Sequence, residues 1–227
     1  MSAESGIPTF RDALTGHWAT FNPAELASEE GFRANPQRVW DWYAERRAGV
    51  QGTVPNAGHH ALAAFARRHP GVLGLVTQNV DDLHQRAGNT DALQLHGDIL
   101  ENRWIDPCPR QAERGFACSP EVALPGRPPG CATCGNLLRP GVVWFGENLP
   151  VVALAQAVLA AEHCAVMLVV GTSGAVWPAA GLAGLAREAG ARVIIVNPAE
   201  SEIDAVAHTV LRGTAATLLP ALLGDDA

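Results

Sequence analysis

The residues of this chain best suited to do chemistry are a pair of closely spaced cysteines, one histidine closing an apolar run, and a tyrosine three residues before an arginine. Cys131 and Cys134 stand two residues apart, with Gly135 following. At that spacing two thiolates can grip one tetrahedral ion, and the glycine lets the chain turn. Cys108 and Cys118 are available as the other two ligands. The resulting pattern, C-x9-C-x12-C-x2-C, is irregular, and its alternative is a degenerate knuckle that no longer holds metal. Cys164 lies in an apolar stretch and reads as a buried thiol. Among the histidines, His59, His60, His69 and His163 fall at helix starts, at a helix end or beside a strand. His96 closes Leu93–His96 just before glycine and the cysteine-rich segment. An imidazole that titrates near neutral pH suits a general base. Tyr43 and Arg46, three apart on a predicted helix, share a face. They form either an ordinary helix-surface pair or a clamp for a carboxylate.

These residues need elements to carry them. Residues 34–48 predict a helix with Pro36 in its first turn and Val39, Trp40 and Tyr43 on one face. Residues 56–69 predict another, capped by Asn56 and stopped by Pro70-Gly71. Short apolar strands are expected at 72–76, 141–146, 165–170 and 192–196, and helices at 151–162, 178–189 and 215–223. Apolar strands alternating with helices predict an α/β fold: a Rossmann-like parallel sheet with helices on both faces. Residues 108–134, rich in proline, glycine and cysteine, predict a small module held by something other than an apolar core. In such sheets ligands sit beyond the carboxyl ends of the strands. Three of those ends are polar: Gln78, Asn79 and Asp81 after Val76; Gly171-Thr172-Ser173 after Val170; and Asn197 after Val196. Turns need such residues anyway, but three on one sheet edge mark a candidate site. Gly171-Thr172-Ser173 suits a phosphate. A G-x-G-x-x-G fingerprint is absent.

Composition narrows the class. The 227 residues are 48% hydrophobic and 17% charged, with a formal net charge of -7. This fits one globular domain with a small insertion and is a poor footprint for nucleic acid. With no apolar run of membrane-spanning length and no signal-peptide pattern, a cytoplasmic location is expected, and no membrane or nucleic-acid partner. The cysteines are then expected as metal ligands or thiols.

Taken together, several strings resemble the sirtuin family: Ser2–Arg11 (SAESGIPTFR), Pro55–His59, Thr77–His84, Leu95–Gly97, Cys131–Gly135, Leu138–Pro140, Val142–Glu147, Gly171–Ser173 and Val196-Asn197. They occur in family order along nearly the whole chain. The resemblance implies a Rossmann-like NAD-binding domain (1–95 and 140–227, with a helical segment at about 12–60) and a zinc-binding module (97–139), with NAD and acyl-lysine meeting between them. NAD is then a consumed co-substrate, and acyl-lysine proteins or peptides are the partners. The products are free lysine, nicotinamide and O-acyl-ADP-ribose. His96 is implied as the base. Ala3, Ile7, Phe10, Arg11, Gln78, Asn79, Asp81, Gly171, Thr172, Ser173, Asn197 and Ala215 are implied around NAD. Val143, Phe145, Gly146 and Glu147 belong to a segment that pairs with substrate as an added strand. One structural Zn2+ per chain is expected on Cys108, Cys118, Cys131 and Cys134. Tyr43 and Arg46 match the Tyr-x-x-Arg pair of the subgroup that removes succinyl, malonyl or glutaryl groups.

The chain also departs from the family. The strand and Gly-Ala-Gly turn that usually precede the Ser-Ala-Glu-Ser string are absent. Roughly ten to twenty upstream residues, one strand and one turn, are expected to encode them. Trp104 stands where the first zinc cysteine is usual. The rival expectations are a truncated, catalytically weak homologue and an NAD-sensing zinc protein without turnover.

Overall fold

The computed structural model describes residues 1–9, 12–14, 19–108 and 118–224. In chain order the described helices are α1 (Pro23–Leu26), α2 (Glu29–Ala34), α3 (Pro36–Gln51), α4 (Ala57–Arg68), α5 (Leu83–Ala87), α6 (Val151–His163), α7 (Gly181–Glu188) and α8 (Ala215–Leu223). The strands are β1 (Val76–Thr77), β2 (Leu93–Gln94), β3 (Gly97–Trp104), β4 (Leu138–Val142), β5 (Val166–Val170), β6 (Arg192–Val196) and β7 (Thr209–Leu211).

Two compact units divide the chain. The first comprises Met1–Ile7, Thr53–Leu95 and Leu149–Ala227. Its strands β5, β6 and β7 form a parallel sheet, with Val166 opposite Arg192 and Val170 opposite Val196, and β1 and β2 form a second parallel pair. Side chains of a strand alternate between faces, and β5 uses both. Met167 and Val169 pack with Ala180, Ala183, Val193 and Ile195 on one side. Leu168 and Val170 pack with Leu62, Ala215 and Leu219 on the other. A strand with apolar packing on both faces requires helices on both faces. Here α7 packs against β5 and β6, while α4 and α8 pair with each other. The α/β class expected from the sequence is thus present.

The second unit comprises Pro8–Gly52 and His96–Asn148. It holds α1 to α3 and the antiparallel pair β3–β4, whose register shifts between Asp98 and Asn102. Asn35 caps α3 by accepting from the Arg38 N–H, and Pro36 opens its first turn. Val39, Trp42, Tyr43 and Val50 form its buried stripe. Trp42 takes the place expected of Trp40, which lies half-buried beneath the Arg47 guanidinium.

Two predicted strands are shorter than expected. Of residues 72–76 only Val76 enters a ladder, because Gly71 turns the chain at φ 77° and pairing starts where the Leu75 carbonyl accepts from the Leu93 N–H. Of residues 141–146, pairing stops at Val142. Beyond it the Val143 N–H goes to the His96 carbonyl, the Phe145 N–H goes to the Ala27 carbonyl, and Gly146 turns at φ 85°.

Candidate active site and metal centre

In the first unit the polar strand ends converge. The Gln78 amide reaches the Thr172 hydroxyl at 3.5 Å, and the Asn197 amide donates to the Thr172 carbonyl at 3.0 Å. Gly171 is in the left-handed region (φ 60°), and a Cβ there would lie 2.8 Å from the Met1 nitrogen, so the turn demands glycine. The Ser173 hydroxyl accepts from the Ala175 N–H. Asn79 donates to the Ser2 hydroxyl at 2.7 Å. Asp81, buried, accepts from the Leu83 N–H at 3.1 Å in the turn just ahead of α5. Ala3 is exposed and Ile7 half-buried, in and just after the short 3-10 turn Ser2–Ser5. The N–H of Ala215 is already engaged: Glu4 accepts from it at 3.1 Å and from Ala216 at 2.8 Å, placing a carboxylate at the positive end of α8. Phe10 and Arg11 lie outside the described residues.

In the second unit His96 is half-buried between β2 and β3. The residue after it fixes its backbone. Gly97 has φ 76°, and a Cβ there would lie 2.1 Å from the Gly141 carbonyl oxygen. The His96 carbonyl accepts from the Val143 N–H at 2.8 Å, which ties the candidate base to the candidate substrate segment. In that segment the N–H groups of Val143, Trp144, Phe145 and Glu147 are all engaged within the chain. The Glu147 side chain bonds both Arg103 and Arg139 and accepts from the Trp144 N–H at 2.8 Å. Burial alone would push its carboxyl up, but the bonds from Arg139 and Trp144 hold it below the usual range.

Tyr43 is 4% exposed. Its hydroxyl accepts from the indole N–H of Trp144 at 3.0 Å, and its ring meets Trp42 edge-on at 4.6 Å. Burial, foremost, pushes the phenol up to about 12, which keeps it a protonated donor. Arg46 lies over the Trp42 ring with its guanidinium carbon 5.0 Å from the centroid. A helix-surface pair would expose both side chains; here the phenol is buried in aromatic rings.

The cysteines converge as the spacing allows. Cys108, Cys118 and Cys134 place their sulfurs within 4.8 Å of one another. The Cys118–Cys131 separation is 3.6 Å and Cys108–Cys134 is 3.9 Å. Four thiolates around zinc at a Zn–S distance of about 2.3 Å sit about 3.8 Å apart, so these separations fit that ion. The turn is closed by the Gly135 N–H on the Cys131 carbonyl, with Gly135 at φ 72°. The crowded thiols titrate apart. N–H groups of Cys134 and Thr133 draw Cys131 down to about 7, while desolvation foremost pushes Cys118 up to about 12. Trp104 donates its indole N–H to the Cys118 carbonyl at 2.9 Å and so ties down the backbone at that cysteine. Cys164, half-buried, packs against the core of the first unit.

Three features escaped the sequence reading. Trp144 and Arg139 are buried partners of the candidate site, and Arg139 stands 3.3 Å over the Trp144 ring. The third is a buried histidine pair, His59 and His84, with ring centroids 4.8 Å apart. His59 looked like an ordinary helix-start residue. Its signal was position: three residues after the Asn56 cap, where its Nδ1 accepts from the Asn56 N–H.

Comparison with known proteins agrees with this geometry. The sequence profile of the Sir2 family matches residues 1–178. An NAD-dependent protein deacylase of Ralstonia nicotianae is 56% identical over 223 residues, covering 98% of this chain and 87% of that protein. The crystal structure of a Sir2 homologue in complex with NAD superposes with a TM-score of 0.82 at 40% identity, covering 98% of this chain and 84% of the other. A Sir2 protein bound to acetylated peptide superposes with a TM-score of 0.80 at 26% identity, covering 99% of this chain and 89% of the other.

Proposed function

The chain belongs to the Sir2 family, and on that premise we propose that it is an NAD-dependent protein-lysine deacylase that prefers acyl chains ending in a carboxylate. NAD supplies the electrophilic ribose carbon that the acyl oxygen attacks as nicotinamide departs. His96 is the general base that takes the proton of a ribose hydroxyl. Ala3, Ile7, Phe10, Arg11, Gln78, Asn79, Asp81, Gly171–Ser173, Asn197 and Ala215 surround NAD. Val143, Phe145, Gly146 and Glu147 belong to the segment that receives the peptide. Cys108, Cys118, Cys131 and Cys134 hold a structural zinc, with no position left open for catalysis.

The single observation carrying the acyl preference is the buried Tyr43 phenol, kept protonated, on the same helix as Arg46. A phenol donor and a guanidinium together suit a carboxylate. A neutral acetyl group gives up the charge-assisted part of that contact. The test is a kinetic comparison of one peptide carrying acetyl-, succinyl- or malonyl-lysine, incubated with NAD and followed by mass spectrometry. A higher kcat/KM is expected for the acidic acyl groups, and Arg46→Met, which keeps the stem and removes the charge, should reverse the order. A charge-assisted pair is worth about 2–3 kcal/mol, or roughly 30- to 150-fold in the ratio. Equal efficiency on acetyl-lysine, unchanged in Arg46→Met, would reduce Tyr43 and Arg46 to structural residues.

A further inference from the structure

We propose that Trp144 is a positioning residue for acyl recognition: its indole N–H occupies one side of the Tyr43 hydroxyl and forces the phenol proton to point the other way, toward an anionic acyl end. The inference rests on the carboxylate reading of Tyr43 and Arg46 and adds a residue to it.

An indole nitrogen is a donor and cannot accept. In the Trp144–Tyr43 bond the phenol oxygen is therefore always the acceptor. A phenol O–H prefers the plane of its ring, which leaves the proton two positions. With the indole hydrogen on one side, the proton takes the other. Among the described residues no acceptor receives it. The phenol is thus a donor held in reserve, and burial keeps it protonated. The complement of such a donor beside a guanidinium is an oxygen with lone pairs and negative charge.

Trp144 is well fixed for this task. It is 2% exposed. Arg139 lies 3.3 Å over its ring, and Phe32 packs at 5.5 Å between centroids. Arg139 is itself held by Glu147 and by the Val142 carbonyl at 2.7 Å, and the backbone N–H of Trp144 donates to the same Glu147. The indole therefore has little freedom to swing away when substrate arrives. A positioned donor costs less reorganisation than one that must rotate into place.

Trp144→Phe tests this, since it keeps an aromatic ring over Phe32 and under Arg139 and removes the N–H. The succinyl-over-acetyl ratio of kcat/KM is expected to fall roughly 5- to 20-fold, mainly through the KM for succinyl peptide. In a Tyr43→Phe background the same change should leave the ratio unmoved, because Trp144 acts through Tyr43. Equal losses on both acyl groups, or the same loss of ratio in the Tyr43→Phe background, would overturn the proposal. A ratio that responds to Tyr43→Phe but not to Trp144→Phe overturns this proposal alone. A ratio that ignores both overturns the carboxylate reading as well. The indole N–H resonance of Trp144 gives the test without a variant. In the wild-type protein succinyl peptide should shift it more than acetyl peptide does, and equal shifts refute the idea.

Discussion

At the scale of single residues, the clearest separation is between what His96 does with its backbone and what it does with its ring. The carbonyl accepts from Val143, and the left-handed Gly97 sets the turn. Neither depends on the imidazole. His96→Ala should therefore keep the backbone bond to Val143 and the β3–β4 pairing while removing the base. Loss of a general base alone costs about 10²- to 10⁴-fold in rate. Nicotinamide release from NAD and acyl peptide measures it, and near-normal turnover by the folded variant would remove His96 from its role. Single residues were also the most legible scale. Asn56 and Pro36 do at their helix starts what residue chemistry requires of them. The polar strand ends were legible because a buried apolar strand makes its polar exit conspicuous. The role of Trp144 beside Tyr43 was not legible: its segment suggested a strand and a stretch that pairs with substrate, and Tyr43 lies 101 positions away.

At the scale of elements, the sequence was readable where burial is two-sided and unreadable where it is one-sided or replaced by other bonds. β5 is a continuous apolar run and β6 is one after Arg192, but β3 (GDILENRW) mixes polar and apolar residues and carries a register shift, so its ladder left no simple period. The cysteine turn was half legible. Cys131 and Cys134 announce themselves by spacing, whereas Cys118 depends on the Trp104 indole gripping its carbonyl. This contact makes a prediction. Purified protein should carry one zinc per chain by elemental analysis. Trp104→Phe should weaken metal affinity about 10- to 100-fold, as loss of a residue supporting a ligand does. Cys118→Ser should weaken it further. Chelation should expose the segment between β3 and β4 to protease. Undiminished zinc in Cys118→Ser would take that residue out of the ligand set.

At the scale of the whole molecule, two family-like strings meet in one buried contact. His59 ends the Pro55–His59 string, His84 ends Thr77–His84, and both are nearly sealed from solvent, at 0% and 3% exposure. His59 Nε2 and His84 Nδ1 find no hydrogen-bond partner among the described residues. The pair is folded around neutral rings. Desolvation, foremost, lowers His59 to about 3 and lowers His84 as well, with Asp81 the charge that opposes the shift at His84. Charges of His60, Arg86 and the N-terminal ammonium add to the lowering at His59. In the unfolded chain a histidine titrates at about 6.5. Below that pH the unfolded state binds protons that the folded state refuses, so unfolding free energy falls as pH falls. The loss begins near 6.5 and continues down to the folded-state value. For His59 the linkage amounts to about 2 kcal/mol between pH 7 and pH 5, and His84 adds in the same direction. Glu147, Asp106 and Asp204, whose carboxyls are held low in the folded state, also lose stability in acid. Their loss begins nearer the ordinary carboxylate range of about 4 and so falls mostly below this window. Urea unfolding followed by circular dichroism at pH 7, 6 and 5 should show the midpoint falling steadily, and His59→Gln should flatten the slope whatever it does to stability at pH 7. A midpoint that holds or rises on acidification to pH 5 would mean that the histidine pair accepts protons in the folded state and that its burial is not a source of acid sensitivity.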